Sequence, residues 1–285
     1  MKRISVWIRR RSPSLALFLL LSVLAIAFLL PFYWSIVSSV KSAAEVRAIP
    51  PTWWPQRIVL ANFTHVWSSR FARYMLNSLI YSLGTSLFVL ATSSFLGFII
   101  EKYPSAFGNF LFWLILATMM VPFQTYVIPL FKVLIFLQRL TGVPTANTYW
   151  GLIFPWIFYP FGIFLLRQAA KTFPTALMDM ARIDGCSTFT IYVRVVLPLM
   201  TSSLASLGIL IFMWKYDDLL WPLIVASDDR MYPVTMGVLQ FVGEYWTEYQ
   251  LYIAASLIAI APAVLLFLLL QRSIIKGIAT EGLKG

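Results

Sequence analysis

Phe173-Pro174-Thr175-Ala176-Leu177-Met178-Asp179-Met180-Ala181-Arg182-Ile183-Asp184-Gly185-Cys186-Ser187 reads as a short helix with its own punctuation. Pro174 suits a first turn, where no N–H is needed, and Gly185 suits the left-handed residue that terminates a helix. A second helical stretch, Thr188 to Val196, runs into Leu197-Pro198-Leu199, where the proline can open another helix. Strongly apolar sequence lies on both sides. The segment is therefore a short helix stranded between membrane spans, and its small residues Ala181 and Gly185 let a second surface approach closely. Such a helix is built to dock on something.

The flanking sequence is written for lipid. Of 285 residues, 60% are hydrophobic and 12% charged, more apolar surface than one soluble core can hide. Six stretches are long enough to cross about 30 Å of hydrocarbon: Leu15–Val37, Met75–Ile100, Phe110–Leu134, Trp150–Leu166, Leu199–Val225 and Leu251–Leu270. Each should be helical, because an unpaired backbone group in lipid costs several kcal/mol. Lys2, Arg3, Arg9, Arg10 and Arg11 precede the first stretch, which runs on past a cleavage-like Ala25-Ile26-Ala27 to the belt Phe32-Tyr33-Trp34. It reads as an uncleaved first span. The net charge of +11 fits basic residues held on the cytoplasmic side, and no basic stripe with interleaved aromatics points to nucleic acid. Both termini and the loop at 167–198 then lie in the cytoplasm. This gives a basic N-terminus at 1–14, a six-span region at 15–272 and a tail at 273–285.

One cysteine, Cys186, and one histidine, His65, leave no disulfide and no Cys/His metal cluster. No metal site is expected; Asp228-Asp229 lacks phosphate-binding neighbours and reads as a solvated loop. No Gly-x-x-x-x-Gly-Lys-Ser/Thr loop occurs, so ATP is not cradled here by that motif. Lys215, Asp217 and Asp218 sit in the fifth stretch, where a charge at the bilayer centre costs about 2.5–3.5 kcal/mol. Lys215 and Asp218 share a helix face and can pair, while Asp217 points elsewhere. They form either a structural pair at a subunit interface or part of a water-filled pathway. Asn77, Gln124 and Gln168 are hydrogen-bonding candidates, with Asn77 expected to point into a pathway; interhelical glue is the other use of such groups. Phe123, Tyr126, Trp156, Tyr159 and Trp221 could offer a platform for a sugar ring or simply sit at membrane interfaces. Prolines 122, 129, 155, 160, 222 and 262 mark kinks or helices bent around a pathway.

The Phe173–Ser187 segment resembles the EAA loop of ABC importer permeases: Glu-Ala-Ala, then Asp-Gly-Ala, then a hydrophobic stretch ending in Leu-Pro. Asp179-Met180-Ala181-Arg182-Ile183-Asp184-Gly185-Cys186 and Leu197-Pro198 stand at the matching spacing, with Asp179 and Met180 departing from the pattern. Phe161 to Gln168, Asp217-Asp218-Leu219-Leu220-Trp221-Pro222-Leu223 and Gln271-Arg272 extend the resemblance toward carbohydrate-uptake permeases similar to the smaller subunit of the maltose-type importer. Lys215 and Asp217 depart from that group's usual Trp-Asn-Asp.

The resemblance implies an all-α integral membrane protein with six transmembrane helices of the type I ABC importer permease fold and a cytoplasmic coupling helix, sited in the inner membrane. It implies a second permease subunit, two ATP-binding subunits that carry Mg-ATP, and an extracytoplasmic solute-binding protein, with no cofactor in this chain. The cargo would be a sugar-like solute: an oligosaccharide, disaccharide, polyol or glycerol phosphate. Asp179 through Cys186 would couple to the ATPase, and Gly243, Glu244, Tyr245 and Trp246 would probe the binding protein. Gly282, Leu283, Lys284 and Gly285 would reach into the ATPase pair. A membrane-embedded enzyme using Asp217 and Asp218, or a proton-coupled transporter using the same charges, would need no docking loop.

Overall fold

In the computed structural model the backbone is described for residues 2–243 and 245–282, and side chains for 15–243 and 245–269. The helices are α1 (Lys2–Ser39), α2 (Ala43–Val46), α3 (Ala61–Val66), α4 (Ala72–Lys102) and α5 (Ala106–Met119). Then come α6 (Phe123–Thr141), α7 (Tyr149–Ile153), α8 (Pro160–Lys171), α9 (Thr175–Ile183) and α10 (Thr188–Ile191). The chain closes with α11 (Leu197–Leu199), α12 (Thr201–Tyr216), α13 (Leu220–Val225), α14 (Val234–Leu239) and α15 (Tyr249–Gly282). Among the described residues there is no strand, only an isolated antiparallel bridge between Val242 and Thr247.

Four helical stretches are long and apolar enough to cross a membrane: Leu15–Ser39, Ala61–Lys102, Phe123–Thr141 and Tyr249–Leu269. Two more cross if each is counted as one bent span: Tyr149–Trp156 with Pro160–Lys171, bent by 46°, and Thr188–Leu199 with Thr201–Tyr216, bent by 78°. Six spans result, but three differ from the expected continuous helices. The apolar stretch Phe110–Leu134 divides into α5 and α6 at Pro122, which caps α6 in an extended conformation (φ −60°, ψ 136°). A proline disfavours helix in the residue before it, and hydropathy does not register that. The stretch Trp150–Leu166 breaks before Pro160, and the stretch Leu199–Val225 breaks between Tyr216 and Leu220. Inside Ala61–Lys102 the helix is interrupted at Ser69 (φ −88°, ψ 37°) and Arg70 (φ 62°, ψ 8°).

The chain divides into two compact units, residues 1–70 with 238–260 and residues 71–237 with 261–285. In the first, the C-terminal end of α1 anchors the proline-rich connector. Tyr33 and Trp34 meet Trp54 and Trp53 edge to face, and the Tyr33 hydroxyl donates to the Trp53 carbonyl at 2.8 Å.

The second unit is organised around α4. Its inward face carries small polar residues, Ser78, Ser82, Thr85, Ser86, Ser93 and Ser94, with Gly97 near its end, all buried. In lipid, packing and close approach rather than water exclusion bring helices together, and small side chains permit it. Ser82, Ser86 and Ser94 donate to the carbonyls of Ser78, Ser82 and Leu90 at 2.6–2.7 Å, so these hydroxyls reach the interface already satisfied. The Thr92 hydroxyl donates to the carbonyl of Ile157 in the break before α8. Against this face pack Leu166 and Ala170 of α8 and Leu207 and Ile211 of α12, in one cluster with Val89 and Phe98.

Backbone meets backbone between α4 and α8 at Gly97, where a Cβ would lie 2.7 Å from the Arg167 nitrogen and 2.9 Å from the Leu166 carbonyl carbon. Backbone there cannot yield as a side chain does. At Gly208 a Cβ would meet only the Leu90 Cδ1, at 3.2 Å. Gly97→Leu should therefore cost about 1–3 kcal/mol or more in overpacking and lower both yield and Tm of the purified permease, whereas Gly208→Ala should leave both near wild type. Equal Tm for Gly97→Leu and wild type would contradict this packing.

Candidate functional site

Two groups of predicted residues come together in the second unit, one in the 173–187 loop and one at the break after α12. Pro174 caps α9 from an extended conformation, and at the other end Gly185 has φ +78°. The Cys186 N–H donates to the Ala181 carbonyl and the Gly185 N–H to the Arg182 carbonyl, both at 3.0 Å, which is the paired pattern of a Schellman cap. Ala181 and Cys186 supply the apolar contact that accompanies it, packing on the core cluster beside Met178.

Met178 is the one residue of α9 that is buried. Ile183 is 86% and Met180 63% exposed, so a nine-residue helix directs its larger apolar side chains outward. Asp179 and Arg182 form an exposed pair at 2.9 Å, and Asp184 is exposed at the cap. Beside Gly185 a Cβ would meet nothing within 4 Å. Cys186 is half-buried because it closes the cap against the core.

The loop is fastened to the end of α4. Lys102 Nζ donates to the Phe173 carbonyl at 2.6 Å, and the Tyr103 hydroxyl to Thr188 Oγ1 at 3.2 Å. Tyr192 stacks on Phe98 with centroids 5.7 Å apart and bonds Ser94 at 2.7 Å. Burial acts to raise the Tyr103 phenol, but its contacts with Thr188 and the nearby Arg182 guanidinium outweigh that and hold it below the ordinary tyrosine value. Glu101 pairs with Arg167 at 2.9 Å, and the Arg167 guanidinium lies 3.7 Å from the centre of the Phe112 ring.

At the other end of α4, Lys215 and Asp218 pair at 3.2 Å across the break that follows α12. Tyr81 donates to the same Asp218 oxygen at 2.8 Å, the Trp221 N–H reaches the other at 3.4 Å, and Lys215 Nζ lies 3.1 Å from the centre of the Trp156 ring. Phe123 packs against Trp156 and Trp221, with centroids 5.0 and 6.3 Å away, and Tyr126 and Tyr159 border them. Asp217 is exposed and turned away from the pair, as its position on the helix requires.

Three of the pathway candidates are buried within the chain. Asn77 is buried; its amide donates to the Arg230 and Tyr232 carbonyls at 2.9 Å and accepts from the Tyr149 hydroxyl at 2.5 Å, so it ties a loop to α4. Trp221 is wholly buried with its Nε1 donating to the Gly151 carbonyl at 3.2 Å, and Trp156 is buried beneath Lys215. Gln124 and Tyr126 stay exposed and Tyr159 half-exposed. Tyr81, Lys102 and Tyr192 were missed. For Tyr81 a signal existed: Asn77, Ser78, Tyr81, Ser82 and Thr85 form a polar stripe at helical spacing on an apolar helix.

In the first unit, Val242 and Thr247 bridge, and the Glu248 N–H donates to the Phe241 carbonyl at 3.1 Å, so 241–248 is a small finger. Tyr245 at its tip is 92% exposed and Trp246 is also exposed. Glu244 lies outside the described residues, as do Leu283, Lys284 and Gly285; Gly282 is the last residue of α15.

These apolar helices, with a short separately capped helix between the fourth and fifth spans, are those of a permease subunit with the type I importer fold. The chain belongs to the binding-protein-dependent transport system inner membrane component family, whose sequence profile matches residues 90–279. It is 33% identical over 283 residues to the arabinooligosaccharides transport system permease protein of Halalkalibacterium halodurans, covering 97% of this chain and 99% of that one. It is 30% identical over 275 residues to the lactose transport system permease protein of Rhizobium radiobacter, covering 95% and 96%. The fold matches a subunit of a bacterial ABC transporter involved in import of the acidic polysaccharide alginate, with TM-score 0.75, 18% identity, and 92% and 96% of the two chains covered.

Breaking the Lys215–Asp218 pair from one side strands a buried charge. Asp218→Leu alone should destabilise the permease by about 3–5 kcal/mol, and Lys215→Met with Asp218→Leu should recover most of the loss. Thermal unfolding of the purified protein gives both values; a double variant no better than the single one would contradict the pairing.

Proposed function

We propose that this chain forms half of the translocation pathway of an ATP-driven, binding-protein-dependent importer of a sugar or sugar-like solute, and that it carries no ATPase site. A second permease subunit supplies the other half, two ATP-binding subunits hold Mg-ATP, and an extracytoplasmic solute-binding protein delivers the cargo. The N- and C-termini and the 167–198 loop lie in the cytoplasm. The solute class is supported by relatives named for arabinooligosaccharides and lactose.

The observation that carries this reading is the outward apolar face of α9. A short helix held by Met178, Ala181 and a Schellman cap gains nothing within its own chain from exposing Met180 and Ile183. Those side chains, with open space beside Gly185, fit a groove on the ATP-binding subunit, whose closure would push α9 and through it α4. Asp179, Arg182 and Asp184 would contact the groove's polar rim. Gly282 to Gly285 would extend toward the same subunits. Tyr245 and its neighbours would meet the solute-binding protein, while Gln124, Tyr126 and Tyr159 remain the pathway candidates with accessible surface. The enzyme reading fails on geometry, because Asp218 is occupied by Lys215 and Tyr81 while Asp217 turns away.

Ile183 is a better reporter than the half-buried native thiol. In a Cys186→Ala background, Ile183→Cys should be untouched by an impermeant maleimide in intact spheroplasts, labelled in inside-out vesicles stripped of the ATP-binding subunits, and protected when they are restored. Labelling of intact spheroplasts would reverse the orientation, and undiminished labelling in a verified complex would sink the docking role. Gly185→Leu places a side chain at φ +78°, a strain of about 1–2 kcal/mol. It should preserve insertion but uncouple ATP hydrolysis from uptake, and normal transport by that variant would refute the coupling assignment.

A further inference from the structure

The finger at 241–248 is held from outside itself. Within it, the Gly243 N–H donates to the Trp246 carbonyl at 3.1 Å, and any Cβ at Gly243 would lie 2.5 Å from that oxygen. Such a short ribbon is marginal on its own. Arg47, 200 residues earlier, reaches it: Nη2 donates to the Thr247 carbonyl at 2.7 Å. The guanidinium lies 3.5 Å from the centre of the Trp246 ring and 6.0 Å from that of Tyr249. One planar cation thus fixes a backbone carbonyl and two rings at the base of the tip that carries Tyr245.

The ground on which Arg47 stands is itself rigid. The residue caps α2, whose first turn is closed by the Ser42 hydroxyl accepting from the Glu45 N–H at 3.3 Å. The Glu45 carboxylate accepts from Thr52 Oγ1 at 3.2 Å and the Gln56 N–H at 2.8 Å. Asn62 donates to the Ser39 and Lys41 carbonyls at 2.7 and 2.9 Å. Lys41 is buried, bonded to the Thr52 carbonyl and 4.7 Å from the centre of the Trp34 ring. A cation anchored this firmly loses little freedom in holding the finger. Lysine would keep the charge without the planar stacking.

We propose that Arg47 is a positioning residue for binding-protein engagement: it pre-orders the 241–248 finger so that Tyr245 and Trp246 meet the partner without first being organised. This rests on the reading of the finger as the binding-protein contact. Pre-ordering acts on affinity, so it alters the concentration of binding protein needed and not the turnover reached at saturation.

Two measurements on the full complex in nanodiscs separate the clamp from the reading beneath it. Hydrogen exchange of the finger needs no binding protein. Arg47→Gln should speed exchange at the Gly243 and Glu248 amides by about threefold to tenfold, and Arg47→Lys by less. Titration of ATP hydrolysis with solute-loaded binding protein should show the half-saturating concentration rising about threefold to tenfold in Arg47→Gln and partly restored in Arg47→Lys, with maximal and binding-protein-free rates unchanged. Unchanged exchange in Arg47→Gln overturns the clamp even if the titration moves. Faster exchange with an unchanged titration overturns the positioning role. Tyr245→Ala tests the reading itself: a titration superimposable on wild type means the finger is not the contact, and the inference falls with it. An Arg47→Gln complex that still assembles and keeps its binding-protein-free rate excludes misfolding as the cause.

Discussion

In lipid, apolar contact between helices displaces only more hydrocarbon, so what holds a bundle together is how closely backbones approach and whether every polar group arrives satisfied. The inward face of α4 meets the first demand throughout and the second in part, since the Thr85 and Ser93 hydroxyls are buried without a hydrogen-bond partner. Ser82, Ser86 and Ser94 donate to carbonyls of their own helix, and Gly97 lets the α8 backbone come within contact distance. Both groups of candidate residues in the second unit are attached to that helix. Tyr81 holds the charged pair at one end, and Lys102 and Ser94 hold the docking loop at the other. Tyr81 and Lys102 are 21 residues apart, about 30 Å along a helix. The 173–187 loop and the charged pair are thus fastened to the two ends of one helix.

The charges in the fifth span have a mechanical use. Between Tyr216 and Leu220 the helix is interrupted, and a break in a membrane span frees backbone groups that lipid cannot satisfy. Asp218 occupies that break. It accepts from Lys215 on the preceding helix, from Tyr81 on α4 and from the Trp221 N–H that starts the next helix, while its own carbonyl accepts from the Thr235 hydroxyl at 3.0 Å. A carboxylate with that many donors fixes the angle between two helix segments. Lys215 balances the charge and spreads part of it over the Trp156 ring.

What the sequence disclosed depended on how far apart the partners lie. The left-handed Gly185, the proline entry at Pro174 and the pairing of Lys215 with Asp218 are local patterns, readable because one helical turn decides them. The break at Pro122 was hidden inside a continuous hydropathy signal, since apolar residues on both sides score alike whether or not the backbone is helical. The fate of Asn77 was beyond reach. Its partners Tyr149, Arg230 and Tyr232 are 72, 153 and 155 residues away, so a polar side chain in an apolar run looked like a pathway residue when it was a tether.

The departures from the docking pattern acquire a meaning once the orientation of α9 is known. Residues that hold the helix, Met178, Ala181 and Cys186, face the core, and the Asp184-Gly185 terminator and Leu197-Pro198 stand unaltered. Asp179 and Met180, which replace the usual glutamate and alanine, are both exposed, and Asp179 is spent on Arg182 one turn later. A change on the inner face would alter how the helix is seated. The changes at Asp179 and Met180 alter what is presented: a shorter acid already drawn toward a neighbouring base, and a flexible thioether where a methyl would stand; Cys186, where the pattern has alanine, lies on the seated side. Met adapts to irregular surfaces more readily than branched or small side chains do. Asp179 and Met180 therefore change what α9 presents at its surface, while Met178, which seats the helix, stays in the core.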